Sequence, residues 1–161
     1  MSRLVIVLPC EPLTAGQSFA VHEWPLHVTV LAPFLTRAEP AVIADAVAAA
    51  SAHLTAITAT AGPDALFGRR ENVLVTLLHD NPQLTSLHRQ LIVAVRPMGS
   101  KPSEPAFAPS GFRPHVTVKG QARLHEGERV TLEQIAIVDM APRAHAAGRT
   151  VLATIPLARL K

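Results

Sequence analysis

Residues 27–30 read His27-Val28-Thr29-Val30, and residues 115–118 read His115-Val116-Thr117-Val118, the same tetrapeptide once in each half of the chain. On a β-strand, side chains alternate between faces, so each valine pair points one way and each His and Thr the other. The valines suit a core. The histidine and threonine are left to face whatever lies opposite. By the same period of two, Arg113 and Lys119 share the face of His115 and Thr117. Two such strands from different halves of one chain predict two related halves meeting at a common cleft.

The segments around these stretches support that frame. Arg3–Leu8 (RLVIVL) is a short apolar run closed by Pro9 and reads as a buried strand. Residues 9–25 are loop-like, and 26–31 form the next strand. Thr36 and Glu39 have capping-box spacing. A helix is expected from Pro40 to His53, with Val42, Ala46, Ala49 and His53 on one face. Strands follow at 55–60 and 73–78, with a turn at Gly62-Pro63-Asp64 between them. Asn81-Pro82 opens a second helix to about Val95, setting Leu84, Leu87, Leu91 and Val95 together. Residues 96–112 form a long Pro-, Ser- and Gly-rich stretch running into the second motif; its composition suggests a mobile loop, and whether it closes over the cleft is left open. Strands are expected at 115–118, 130–138 and 150–156. Strands and helices mix without strict alternation. This gives an α+β class with mainly antiparallel sheet.

Composition bounds the function. The 161 residues suit one domain, 1–161, with 48% hydrophobic and 17% charged residues, a globular balance. The formal net charge of +3 is compatible with an anionic ligand, and no basic run exceeds Arg69-Arg70. The single cysteine, Cys10, permits no internal disulfide and fits a reducing compartment. No signal peptide or membrane-length apolar segment is read, so a cytoplasmic location without membrane association is expected. There is no tyrosine, one tryptophan and five phenylalanines. Phe34, Phe67, Phe107 and Phe112 offer a stacking platform or two, not an extended nucleic-acid track. Trp24 is read as core in preference to a ligand platform.

Two imidazoles facing one cleft can divide general acid–base work, since the group titrates near neutrality. Threonine hydroxyls can donate hydrogen bonds to phosphoryl oxygens where charge must be held. A phosphodiester needs those parts. No third ligand at a usual spacing supports a zinc site, and no cofactor is expected. His22, His53, His79, His88, His125 and His145 are read as structural or surface residues.

The stretches WPLHVTVLAPF (24–34) and FRPHVTV (112–118) resemble the two signature motifs of the two-histidine phosphoesterase superfamily, the LigT-like or RNA 2′,3′-cyclic phosphodiesterase (2′-5′ RNA ligase) group. The helix segment LTSLHRQL (84–91) is similar to one that family carries between its motifs. The resemblance implies a bilobal α+β fold, with two pseudo-symmetric lobes of mainly antiparallel sheet, helices outside and a central cleft. It implies His27, Thr29, His115 and Thr117 as the catalytic set, acting without a metal on cyclic phosphates or 2′-5′ linkages. Lys119 stands in the region where the RNA-ligase branch commonly has an arginine. Arg113, Lys119, Arg69 and Phe34 are the candidate substrate contacts. The expected partner of this chain, read as a monomer, is a small phosphodiester-containing nucleotide or an RNA terminus. A non-catalytic binder of nucleotides or RNA ends, and a hydrolase of a cyclic oligonucleotide signal, are the alternatives.

Overall fold

A computed structural model describes residues 1–140 and 148–159 of the chain. Its elements run β1 (Ser2–Pro9), β2 (Ser18–Phe19), β3 (His27–Thr36), α1 (Pro40–Ser51), β4 (Ile57–Phe67), β5 (Val73–Leu78), α2 (Pro82–Val95), β6 (His115–Thr117), β7 (Arg129–Leu132), β8 (Gln134–Asp139) and β9 (Arg149–Pro156). Among the described residues they form one nine-stranded sheet in the order β2-β9-β8-β1-β3-β6-β5-β4-β7. Neighbouring strands pair antiparallel throughout.

The seam is β3 against β6, the two motif strands. One lobe lies on the β3 side and the other on the β6 side. The expected strand 130–138 is two strands, β7 and β8, broken at Glu133 and sent to opposite lobes. One residue separates them in sequence, so the sheet must curl to bring its far strands near each other. Ala56 N–H donates to the Ala158 carbonyl at 2.8 Å, tying the start of β4 to the chain after β9.

β1 explains its own sequence. Leu4, Val5, Ile6, Val7 and Leu8 are all buried. Leu4, Ile6 and Leu8 join a large core with Phe34 and both helices; Val5 and Val7 join a smaller one with Trp24, Ala136, Val138 and Val151. A strand covered on both faces needs a continuous apolar run, not an alternating one. Each such side chain contributes about 1.5–3 kcal/mol.

The helices differ in how far their faces can be read from sequence. In α2, Asn81 Oδ1 accepts from the backbone N–H of Gln83 and Leu84, Pro82 follows, and Leu84, Leu87, Leu91 and Val95 are buried, as the spacing predicts. In α1 the buried residues are Ile43, Val47 and Ser51, and Val42 is half exposed. The expected face is one residue out of register: an alanine-rich helix is apolar all round, and the larger Ile43 and Val47 decide which side packs. Thr36 makes no capping box. It ends β3, and its hydroxyl donates to the Met98 carbonyl at 2.7 Å. Gly62-Pro63-Asp64 is likewise no turn, but an irregularity within the long β4. Among the described residues, no helix is long and apolar enough to cross a membrane.

Candidate functional site

The pairing of β3 and β6 is centred on Val28 opposite Val116, both fully buried. Continuing that antiparallel register one residue each way sets His27 across from Thr117 and Thr29 across from His115. All four therefore share the face opposite the valines. Directly opposed residues stand roughly 5 Å apart between Cβ atoms, and diagonal ones roughly 7–8 Å. The two histidines are diagonal across the seam. Val118 falls beyond β6 and is only half buried.

Both rings are held by the same local device. His27 Nδ1 donates to the Pro25 carbonyl at 2.8 Å, and His115 Nδ1 donates to the Arg113 carbonyl at 2.8 Å. A carbonyl can only accept, so Nδ1 carries the proton and Nε2 is left available on each ring. Neither Thr29 nor Thr117 spends its hydroxyl on a neighbour among the described residues.

The surroundings of the two rings differ. His27 stacks on Trp24 with centroids 3.9 Å apart. Trp24 is thus both core, as read from sequence, and the backing of a candidate catalytic ring. Burial drives the His27 pKa down from 6.5 to about 4; the Pro25 carbonyl opposes this, while the positive charges of Lys119, His115 and Arg149 add to it. His115 lies against the Phe67 ring, centroids 4.5 Å apart, and the Arg113 guanidinium sits 4.9 Å over that same ring. Burial lowers the His115 pKa too, opposed by the Arg113 carbonyl and assisted by the Arg113 charge. Lys119 is lowered by burial and then by Arg149. The ensemble is cationic and partly desolvated, a setting that favours an anion.

A cavity of about 460 Å³ opens beside Thr29 and His115. Its walls come from the β4–β5 hairpin (Phe67, Glu71), from α2 (His88) and from the segment after α2 (Ala106, Phe112, Arg113). The first part of that segment is tied to β3: Ser100 N–H donates to the Leu35 carbonyl at 2.8 Å, Leu35 N–H donates to Glu104 Oε2 at 3.1 Å, and Phe107 is buried.

Of the candidate substrate contacts, Arg113 lines the cavity with His115, and Lys119 is near enough to His27 to lower its pKa; both lie outside β6, where the strand period no longer applies. Arg69 is exposed on the β4–β5 turn and does not line the cavity. Phe34 is fully buried, its ring 5.7 Å from Phe107, and is no ligand platform. Its burial has the same cause as that of Val28 and Val30: it points to the core face of β3. His88, which the sequence presents as structural, stands in the cavity wall. Arg149, near His27, carries no sequence signal. His145 lies outside the described residues.

The family model described as the 2′-5′ RNA ligase superfamily matches residues 10–140. No curated protein matches the chain at a significant level in sequence. Among solved structures, TT0787 of Thermus thermophilus superposes with a TM-score of 0.67 at 16% identity, over 99% of this chain and 100% of that one. E. coli LigT complexed with NADP+ gives 0.61 at 16% identity, over 98% of each chain. E. coli LigT complexed with 3′-AMP gives 0.59 at 17%, over 97% of this chain and 98% of that one. The fold is α+β and LigT-like.

Proposed function

The chain belongs to the 2′-5′ RNA ligase superfamily, and on that premise we propose that it is a metal-independent phosphodiesterase opening 2′,3′-cyclic phosphates of small nucleotides or RNA ends, or cleaving 2′-5′ linkages. The observation that carries this reading is the paired geometry. Two imidazoles share one face at the seam, each with Nδ1 spent on a carbonyl two residues earlier and Nε2 without a partner among the described residues. The family supports a phosphoesterase-type activity, and two LigT complexes hold nucleotides.

In the proposed reaction, water attacks phosphorus as its proton passes to Nε2 of one histidine. The P–O bond on the far side breaks, and its oxygen takes a proton from Nε2 of the other. Thr29 and Thr117 donate to the non-bridging oxygens, where negative charge grows. Lys119 and Arg113 hold the anion. Burial keeps His27 neutral over the ordinary working range, which suits the base. His115, in the more open setting, then serves as the acid in its doubly protonated form, with Nδ1–H on the Arg113 carbonyl and the transferred proton on Nε2. The 2′-phosphomonoester is the product expected from the family resemblance.

The test is turnover of 2′,3′-cyclic nucleotides in EDTA, followed by phosphorus NMR, with wild type, His27→Ala and His115→Ala side by side. Turnover in EDTA by wild type and its loss in both variants is the expected result. Saturable nucleotide binding without turnover, surviving loss of either histidine, would instead make the chain a binding module.

A further inference from the structure

His88 belongs to no motif, yet its setting calls for an explanation. It lies on α2, is 6% exposed, and its Nδ1 donates to the Val30 carbonyl at 2.8 Å. That bond fixes the proton on Nδ1 and leaves Nε2 as an acceptor in the neutral ring. Nε2 is buried and has no hydrogen-bond partner among the described residues. An orphaned buried acceptor costs free energy, so its presence needs a reason. Two further observations supply one. The ring forms part of the cavity wall beside Thr29 and His115, and Phe112 stacks on it with centroids 4.1 Å apart and planes 10° from parallel.

The cavity is also lined by groups of opposite charge. Arg113, His115 and Thr29 are suited to phosphate. Glu71 brings a carboxylate to the same cavity, from a backbone held at φ 50°, a conformation side chains other than glycine rarely adopt. A carboxylate repels phosphate. It fits a part of a ligand that carries N–H or O–H donors, as an unpaired acceptor at His88 does.

We propose that His88 is a specificity residue: its Nε2 accepts a hydrogen bond from the exocyclic amino group of a nucleobase seated in this cavity against Phe112. The chain then favours cytosine over uracil and adenine over hypoxanthine, pairs in which an amino donor is replaced by a carbonyl acceptor. The inference deepens the phosphodiesterase reading and takes its nucleotide ligands from it, but its first test is binding and does not need turnover.

Calorimetric Kd values for cytidine and uridine 2′-monophosphates decide it. Wild type is expected to bind the cytidine compound about tenfold more tightly, the worth of one buried hydrogen bond. His88→Asn keeps a donor for Val30 and lacks the second ring nitrogen, and it is expected to bind both nucleotides equally. Equal affinity in wild type, no measurable binding of either nucleotide, or a preference that survives in His88→Asn overturns the proposal. Should the variant fail to fold, adenosine against inosine 2′-monophosphate on wild type repeats the test, with equal affinity again the overturning result. A cytidine preference in binding, without hydrolysis of any cyclic nucleotide, would sink the phosphodiesterase reading and leave the role of His88 standing.

Discussion

The two copies of His-Val-Thr-Val are identical in sequence and unlike in setting. β3 is ten residues long and pairs with β1 along most of its length; β6 is three residues long, held between β3 and β5 and flanked by loops. Both fix their histidine through a carbonyl two residues back. His27 is then packed on Trp24 within a buried cluster, whereas His115 meets Phe67 near the hairpin tip. Local sequence thus sets the face, the tautomer and the aim of each ring. Proton affinity is set by what the rest of the chain packs around it. A symmetric motif becomes two unequal acid–base groups without any change in the motif.

The largest effect that tests this division is loss of either ring. His27→Ala and His115→Ala are each expected to lower kcat/KM by about a thousandfold, and the double variant to be little worse, because the groups act as a unit. A phosphodiester with a nitrophenolate leaving group separates their roles. Such a group departs without a proton, so His115→Ala should recover most of its loss on it while His27→Ala should not. Equal recovery by both would break the assignment of base and acid. The reverse pattern would exchange the roles.

A smaller effect concerns the threonines. Thr29→Val and Thr117→Val remove a donor and keep the β-branched shape that suits a strand. Each is expected to lower kcat by about a hundredfold, the usual cost of one donor to a developing oxyanion, with melting temperature nearly unchanged. Loss of stability in place of activity would mean that the hydroxyls serve the sheet. A larger loss at Thr29, which lines the cavity while Thr117 does not, would extend the asymmetry to the second motif position.

How much of this is readable in advance follows from range. The faces of β3 and β6 follow from period two and from valine, and α2 from Asn81-Pro82 and evenly spaced leucines; these are local signals. The same periodicity, applied to Phe34, would have placed it in the core with Val28 and Val30. The face of α1 is not legible, because alanine leaves the choice to whichever neighbour buries Ile43 and Val47. The split at Glu133 is not legible either. Nothing in one residue says that consecutive strands go to opposite lobes. For the candidate site, the positions on the shared face can be read. The cavity cannot, since His88, Phe67, Glu71 and Phe112 come from separate elements and meet only in the folded chain. Arg69 looks equivalent to Arg113 by charge alone, but it lies on a turn outside the cavity wall.

The smallest effect tests the enclosure of the two rings through stability, with no substrate present. Burial holds His27 at about 4 in the folded chain, against an ordinary value of 6.5. The unfolded chain therefore takes up the proton first as pH falls. Linkage gives the sign: the contribution of this group is complete above pH 6.5 and is lost progressively as pH falls toward 4. The loss is about 2 kcal/mol, less than the full shift would give because solvent still reaches part of the ring. His27→Phe keeps an aromatic face for Trp24 and removes the titration. Its urea-unfolding free energy should fall less between about pH 7 and pH 4 than that of wild type, by about that amount. His115→Phe should flatten the same curve by less, since its ring is lowered in the same direction from a more open position. Equal flattening by the two variants would show that the motif strands enclose their histidines alike. The difference in surroundings would then no longer support the proposed assignment of base and acid.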